Sequence, residues 1–158
     1  MSHTRIFVLD GGGSSCRAAL YSLDGQDFGC ATGDFANLTS DFAASCQHVQ
    51  EIIAATYHAA GLPPGTSSRD VAVLGIAGAE FGDAARRLEP LLPFASTTVV
   101  SDRQISIAGV LGDADGTLAQ IGTGSFFVSR TGDQLIEAGG WGLTLGDECS
   151  GAWLGREV

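Results

Sequence analysis

Two short glycine-rich turns, about 110 residues apart, contain the residue types that bind a chain of phosphate groups. Each turn follows an apolar run that is typical of a buried strand. Because glycine has no Cβ atom, the backbone of such a turn can approach phosphate oxygens and direct its N–H groups at them. The alternative for either turn is an ordinary tight hairpin. The expected phosphate contacts are Gly11, Gly12, Gly13 and Ser14 in the first turn and Gly122, Thr123, Gly124 and Ser125 in the second.

An acid stands directly before the first turn. Asp10 ends the apolar run and could hold a hydrated Mg²⁺, since Mg²⁺ keeps several waters and takes one or two carboxylates. The alternative is a surface acid of no particular role. The sequence has no G-x-x-x-x-G-K-[ST] loop, and no G-x-G-x-x-G that opens a helix. A nucleotide would therefore be bound by a hairpin.

A second acid, Asp102, follows the predicted strand Thr97–Ser101. Ligand sites in α/β sheets lie beyond the carboxyl ends of strands, so a carboxylate there is well placed to accept a proton from an alcohol. The alternative is a helix N-cap, because a helix is predicted to follow.

Around these residues the pattern predicts an α/β domain of the order βββαβαβα. An antiparallel meander comes first, followed by a helix that Thr39 or Ser40 caps. The next strand is apolar throughout, which predicts a central parallel strand. The predicted strands are Arg5–Asp10, Arg17–Leu23, Gln26–Ala31, Val71–Ala77 and a buried Thr97–Ser101. The predicted helices run to about Ala60, over Phe81–Leu91 and over Gln104–Leu111.

The pattern then starts again. Leu118–Ile121, Phe126–Ser129 and Leu135–Ala138 form a second predicted meander, with the second glycine turn at its first junction. This layout indicates a duplicated fold, the alternative being two unrelated hairpins. We expect a first domain over residues 1–116 and the opening of a truncated second domain over residues 117–158. On this interpretation the chain is an N-terminal portion of a longer protein.

The amino-acid composition limits the classes of partner that the chain could bind. The net charge is −10 among 158 residues, which argues against general affinity for nucleic acid or for anionic membranes. The four cysteines show no C-x-x-C spacing, so we expect free thiols in a cytoplasmic protein. The oligomeric state is left open, with a homodimer among the alternatives.

Both turns, together with the stretch GGWGLTLGDECSGAWLGR at Gly139–Arg156, resemble a known family. It is the BadF/BcrA-type ATPase and N-acetylglucosamine kinase family, within the sugar kinase–actin–chaperone ATPase superfamily. Asp10–Ser14 is similar to its first phosphate motif, DGGGT, and Gly122–Ser125 matches its second, GTGS. Ser14 replaces the usual Thr and keeps a hydroxyl. Ser15 replaces a residue that is often basic, which would weaken the phosphate contact.

The resemblance implies two RNase-H-like (actin-like ATPase) domains and an ATP-dependent amino-sugar kinase. ATP, with Mg²⁺, would place its phosphates between the two hairpins, and a hexose hydroxyl of N-acetylglucosamine or glucosamine would be phosphorylated. Asp102 would be the base. By matching motif positions, the substrate contacts would be Asn37, Asp102, Gly140, Trp141 and Asp147.

These substrate residues have plainer alternatives. Asn37 could be a turn residue and Trp141 a core aromatic, while Asp147 is also a candidate N-cap for a helix containing Trp153 and Leu154. Two other functions remain alternatives for the chain. One is an ATPase activator of a dehydratase, and the other is a non-catalytic sugar sensor with the same fold. The family's adenosine-binding motif has no counterpart here, so we expect the 158-residue chain alone to be inactive as a kinase.

Overall fold

The computed structural model describes residues 5–157. The chain divides into two compact units, Met1–Gln104 and Ile105–Val158. The division falls inside the third helix, ahead of the predicted boundary at 116/117, and the domain assignment stays a prediction. Among the residues described, no helix has the length and apolar character needed to cross a membrane.

The first unit is built on a five-stranded sheet in the order β3-β2-β1-β4-β5. β1, β2 and β3 form the predicted antiparallel meander, and β4 lies parallel between β1 and β5, as predicted. β5 was expected to be buried, but it borders the sheet and only its Val99 is buried. The strands are Arg5–Gly11 (β1), Cys16–Ser22 (β2), Asp27–Gly33 (β3), Val71–Ile76 (β4) and Ser96–Val100 (β5).

Helix α1, Phe42–Ala59, packs on this sheet through Val49, Ile52, Ile53 and Tyr57. Its N-cap is Asp41, whose Oδ1 accepts a hydrogen bond from the Ala44 N–H at 2.9 Å. The expected cap at Thr39 or Ser40 is wrong. The N–H groups of both residues donate to the Asn37 side chain in the preceding turn, so the helix begins later.

A buried acid, Asp70, connects α1 to β1 through hydrogen bonds and an ion pair. Asp70 is fully buried, and its carboxylate accepts hydrogen bonds from the Tyr57 hydroxyl at 2.6 Å and from the Arg5 backbone N–H at 3.0 Å. The Arg5 guanidinium pairs with the same carboxylate at 3.0 Å. Burial and this hydrogen bond raise the pKa of Tyr57. Breaking such a buried pair typically costs about 3–5 kcal/mol, so the network fixes the helix against the sheet.

The second predicted helix is shorter in the structure than the sequence suggests. The predicted helix Phe81–Leu91 consists of α2, Ala84–Leu88, and a 3₁₀ turn, Glu89–Leu91. Gly82 has φ of +63°, which is not helical, and Pro90 has no N–H with which to continue the ladder. Helix α3, Asp102–Val110, begins two residues earlier than predicted. The order βββαβαβα is confirmed, and with it the RNase-H-like α/β fold.

The second unit contains the predicted second meander, an antiparallel sheet in the order β6-β7-β8. Leu118, Phe126 and Val128 pack against Ile107 and Leu111 to form a small core. Its strands are Gly116–Ile121 (β6), Ser125–Thr131 (β7) and Gln134–Gly139 (β8), and a short helix, Gly151–Glu157 (α4), follows.

The predicted N-cap of α4 at Asp147 is wrong. The Ser150 hydroxyl, directly before the helix, accepts a hydrogen bond from the Trp153 N–H at 3.1 Å. Asp147 lies three residues further back with φ of +62°, and its carbonyl accepts from the Ser150 N–H. This turn removes its side chain from the capping position.

Candidate functional site

The first glycine turn closes β1 and β2. Gly11 pairs with Cys16, and the Gly12 N–H donates to the Ser15 carbonyl at 3.0 Å. The Gly12 carbonyl accepts from the Ala36 N–H at 2.9 Å. Because the C=O and N–H of a trans peptide point in opposite directions, the Gly13 N–H is directed away from Ala36. The backbone contacts that hold the turn therefore also orient a donor outward.

The glycines of this turn meet different surroundings. A Cβ atom on Gly11 would lie 2.9 Å from the Ala36 Cβ, so the fold itself requires glycine there. A Cβ on Gly12 would meet nothing closer than the Ser15 carbonyl oxygen at 3.5 Å, and neither residue has a positive φ. The space beside Gly12 is thus open, as the approach of a phosphate group requires.

Asp10 and Arg17 face each other across the β1–β2 ladder, next to the turn. They are direct cross-strand partners, and the Arg17 Nη2 atom donates to Asp10 Oδ2 at 3.0 Å. Asp10 is 44% exposed, so its remaining lone pairs are accessible. No group of three or more His, Cys, Asp or Glu side chains is placed to hold a metal within residues 5–157. A single accessible carboxylate suits a Mg²⁺ ion that keeps most of its waters.

Asn37 is fixed beside this turn by its backbone and its side chain. It forms a bridge with Ala77, whose N–H donates to the Gly11 carbonyl at 2.8 Å. Its Oδ1 atom accepts from the Thr39 N–H at 3.0 Å and from the Ser40 N–H at 3.1 Å. Asn37 is therefore a turn residue, as the plainer alternative held. Its Oδ1 is committed to the turn, so a ligand would be met by the amide group as a donor.

Asp102 is the first residue of α3 and follows the carboxyl end of β5. Asp10 lies at the same end of the sheet, next to the carboxyl end of β1. The parallel register aligns Asp10 with Gly75 and Gly75 with Val100, two residues before Asp102. Burial raises the pKa of Asp102, and the negative charges of Glu80 and Asp10 raise it further, against the opposing effect of Arg103.

The capping alternative for Asp102 is not what the structure shows. The Gln104 N–H donates to the Ser101 carbonyl at 3.1 Å and lies 3.4 Å from the Ser101 hydroxyl, which makes Ser101 the residue that caps α3. The Asp102 carboxylate accepts from the adjacent Arg103 N–H at 3.0 Å. A half-buried carboxylate with a raised pKa, next to a glycine turn, has the properties of a general base.

In the second unit, the glycine turn is held by the start of α4. The Gly151 and Ala152 N–H groups donate to the carbonyls of Gly122 and Thr123 at 2.8 and 3.3 Å. By the same peptide geometry, the Gly124 N–H points away from α4. The Ser125 hydroxyl is buried and donates to the Glu148 carbonyl at 2.9 Å, so it anchors the loop before α4.

Asp147 lies directly against this second turn. A Cβ atom on Gly124 would come within 2.9 Å of its Oδ2 atom, so only glycine leaves room for the carboxylate. Asp147 is 8% exposed, and its Oδ1 atom has no hydrogen-bond partner among the described residues. Buried carboxylate oxygens are nearly always paired, so this atom lacks a donor that a ligand hydroxyl would supply.

The loop before Asp147 presents an aromatic side chain to solvent. Trp141 is 73% exposed, which excludes the core aromatic alternative. Gly140 and Gly142 on either side have φ values of +71° and +80°, a conformation that side chains rarely adopt. These glycines allow the loop to turn sharply while it displays the indole ring.

Each unit thus brings together part of the predicted set. Asp10, the first turn, Asn37 and Asp102 share one edge of the first sheet, while the second unit holds the second turn, Asp147 and the Trp141 loop. Sequence reasoning missed Arg17 and Glu80. The hairpin register could have identified Arg17, because a turn closed by Gly11 and Cys16 pairs Asp10 with Arg17. No pattern singles out Glu80.

Known proteins resemble this chain in sequence and in fold. No protein-family model matches the chain. It is 30% identical over 151 residues to the glucosamine kinase GspK of Vibrio cholerae, covering 95% of this chain and 51% of that protein. It also matches the crystal structure of a proposed N-acetylglucosamine kinase from Chromobacterium violaceum at 34% identity and a TM-score of 0.88, covering 99% of this chain and 56% of that one.

A second solved structure supports the fold alone. A proposed N-acetylglucosamine kinase from Porphyromonas gingivalis is 22% identical with a TM-score of 0.72, over 96% of this chain and 54% of the other. The chain therefore spans about half the length of each of these three relatives.

Proposed function

Because this chain belongs to the BadF/BcrA-type ATPase and N-acetylglucosamine kinase family, we propose that it is part of an ATP-dependent amino-sugar kinase. The observation that carries the proposal is Asp102, a half-buried carboxylate with a raised pKa, at the sheet edge that also bears the glycine turn and Asp10. The acceptor would be a hydroxyl of N-acetylglucosamine or glucosamine, the substrates that the relatives' names give.

In this proposal Asp102 accepts the proton of the sugar hydroxyl. The hydroxyl oxygen bonds to the γ-phosphorus as the bond from that phosphorus to ADP breaks, and the proton moves to the carboxylate. Water at neutral pH is too weak a base to deprotonate a sugar hydroxyl, so a positioned carboxylate accelerates the step. A raised pKa makes Asp102 a better proton acceptor than an ordinary carboxylate.

The proposed nucleotide contacts are the N–H groups of the two glycine turns. Asp10 would hold the Mg²⁺ ion, which neutralises charge on the phosphates. The residues fit this role, because Asp10 is exposed and the space beside Gly12 is open. Gly11, Gly13 and Ser14 in the first turn and Gly122–Ser125 in the second complete the proposed set.

The proposed sugar contacts use donors and acceptors that the fold leaves available. The Asn37 amide group would donate to one hydroxyl, and Asp147 Oδ1 would accept from another. The exposed Trp141 ring would pack on the C–H face of the sugar, with Gly140 allowing close approach. A ligand hydroxyl would satisfy the one buried side-chain atom that lacks a partner in the described residues.

We further propose that the chain is the N-terminal portion of the working enzyme, because it covers 51% and 56% of the two relatives that are at least 30% identical. The 158-residue chain alone would then bind sugar weakly and would not turn over. A cytoplasmic location would supply ATP. A homodimer stays open.

The test is sugar-dependent ADP release by the protein extended to the length of its relatives. A panel of N-acetylglucosamine, glucosamine, glucose and mannose would be supplied with Mg²⁺ and ATP. We expect ADP release above background with an amino sugar and little with the others. ATP hydrolysis that no sugar stimulates would contradict the proposal.

A further inference from the structure

The positive charge of this chain is carried by arginine alone. The sequence has eight basic residues, all of them Arg, against eighteen acidic ones. A cation that neutralises phosphate in this chain is therefore a guanidinium group, which can form two parallel hydrogen bonds to a phosphate. The position of each arginine then becomes informative.

Several arginines are committed to structural contacts. Arg5 is paired with the buried Asp70, and Arg87 lies over the Phe42 ring at 4.2 Å. Arg130 contacts the Gly112 carbonyl and Asp113, and Arg156 donates to the Leu143 carbonyl at 3.1 Å. Arg17 differs from these, because it flanks the first glycine turn and its side chain is 75% exposed.

The ion-pair partner of Arg17 has another proposed role. Its cross-strand partner Asp10 is the proposed Mg²⁺ ligand. An ion pair between two exposed side chains contributes only about 0–1 kcal/mol, so it can be exchanged for other partners at little cost. The pair stands one residue position from the Gly11–Cys16 pair that closes the turn.

We propose that Arg17 is a triphosphate-binding residue that changes partners when the nucleotide binds, an inference that rests on the function proposed above. In the ligand-free protein the guanidinium pairs with Asp10. When Mg²⁺ occupies the Asp10 carboxylate, Arg17 turns to the phosphate oxygens. Arg17 lies two residues after Ser15, the position at which the resemblance places a basic residue that is absent there in this chain.

This exchange explains why an acid-rich edge can accept a polyanion. Asp10, Glu80 and Asp102 lie close enough for the charges of the first two to raise the pKa of the third. A triphosphate approaching these carboxylates without a cation would be repelled. Arg17 keeps Asp10 neutralised before binding, and Arg17 with Mg²⁺ would neutralise the phosphates afterwards.

The test compares Arg17→Gln with Arg69→Gln, a matched loss of one positive charge at an exposed arginine away from the turn. In the protein extended to the length of its relatives, affinity is measured by calorimetric titration with Mg²⁺ and a non-hydrolysable ATP analogue, and separately with amino sugar. Mn²⁺ alone is titrated as a third ligand and followed by its paramagnetic resonance signal. A charge-assisted contact corresponds to about a 10- to 100-fold change in affinity.

We expect Arg17→Gln to weaken the affinity for the nucleotide analogue by that factor, while the affinity for sugar is unchanged. Its affinity for Mn²⁺ alone should stay equal or rise, because Asp10 is released. Arg17→Lys should restore part of the nucleotide affinity, since lysine supplies charge without the planar fork. Arg69→Gln should resemble the wild type in all three titrations.

Two results would overturn the proposal alone. One is nucleotide affinity in Arg17→Gln equal to that of the wild type, and the other is a parallel loss of nucleotide, Mn²⁺ and sugar affinity, which would mark a structural role. A wild-type protein that binds no nucleotide analogue would overturn both this proposal and the proposed function. Sugar-dependent ADP release together with an unaffected Arg17→Gln variant would leave the proposed function standing.

Discussion

Asp102, the proposed base, is not placed where a carboxylate would stabilise the fold. Burial and the nearby charges of Glu80 and Asp10 disfavour its ionised form. A carboxylate whose pKa is raised in the folded protein lowers the stability of the fold wherever it is ionised. This destabilisation is present above the raised pKa and disappears as the pH falls below the pKa of the unfolded chain.

We predict that Asp102→Asn lowers the rate of phosphoryl transfer by about 10²–10⁴-fold while sugar affinity survives. The amide keeps the shape of the side chain but cannot accept the proton. The measurements are the turnover rate in the protein extended to its relatives' length and calorimetric titration with sugar. More than half of the wild-type turnover in this variant would show that Asp102 is not the base.

The melting temperature of the Asp102→Asn variant is the control for this substitution. Asp102→Asn should melt at the same temperature as the wild type or higher at pH 7, because it removes a carboxylate that is disfavoured when ionised. The difference should shrink as the pH falls through the raised pKa of Asp102. A large drop in melting temperature at pH 7 would mean that the lost activity reports misfolding.

Cys149 provides a second prediction at the level of single residues. It is exposed and has φ of +66°, a left-handed conformation in which a side chain is strained. Cys149→Gly should therefore raise the free energy of unfolding by about 1 kcal/mol, measured by urea denaturation. The matched control is Cys30→Gly in the extended strand β3, which should lower it by about 0.5–1 kcal/mol. Destabilisation by both substitutions would contradict the strain argument.

The sequence predicted the members of the proposed site better than it predicted the contacts that each of them makes. The sequence singled out Asp10 and Asp102 as acids at strand ends, whereas Asn37 and Asp147 were predicted from the family resemblance. The Asp10–Arg17 pair could have been read from the hairpin register but was missed, whereas the unpaired oxygen of Asp147 depends on contacts made only after folding. The helix caps were wrong for a related reason. Thr39, Ser40 and Asp41 are all good caps locally, and the turn at Asn37 decides between them.

At the scale of elements, both glycine turns are held by backbone donors from neighbouring segments. Ala36 and Ala77 donate to the first turn, and the first N–H groups of α4 donate to the second. This use of neighbouring N–H groups directs the carbonyls of the turns inward. Sequence predicted the turns but not these supports, because each support comes from a residue far away in the chain.

The glycines of the first turn should separate ligand binding from folding. We predict that Gly12→Val weakens binding of the Mg²⁺–ATP analogue with little change in melting temperature, because the new side chain would occupy the open space beside the turn. Gly11→Ala should instead cost about 1–3 kcal/mol of stability, since its Cβ would press on Ala36. Denaturation and calorimetry on both variants distinguish the effects. A Gly12→Val protein that binds the analogue normally would contradict the assignment of the turn.

Substitution of Gly124 should affect more contacts than substitution of Gly12. Its Cβ would displace the Asp147 carboxylate, so substitution there should disturb the proposed sugar contact as well as the second turn.

At the scale of the whole molecule, the second sheet has less apolar cover than the first. Its core has four buried side chains in the described residues, and Ile121, Phe127, Leu135 and Ile136 are exposed. The repeat of the meander could be predicted from the spacing of apolar runs. The extent to which the apolar side chains of the second sheet are buried could not be predicted, because it depends on elements outside these strands.

We predict that the 158-residue chain self-associates through β6–β8, and that Ile136→Glu reduces the association measured by sedimentation. Ile136 is 71% exposed, and a charge there would oppose apolar contact between copies. The control is Leu23→Glu, at a position 69% exposed in the first unit, which should leave the association unchanged. Equal effects of the two substitutions would place the contact elsewhere.

Asp102 is the proposed acceptor of the proton of an amino-sugar hydroxyl during ATP-dependent phosphorylation. The most direct test of this role is sugar-dependent ADP release, measured side by side for the wild type and Asp102→Asn in the protein extended to the length of its relatives. We expect an amino sugar to stimulate ADP release in the wild type and the variant to lose at least 99% of it, the lower end of the ~10²–10⁴-fold effect of removing a general base. Sugar-stimulated ADP release that survives unchanged in Asp102→Asn, or ATP hydrolysis that no sugar stimulates, would contradict the account.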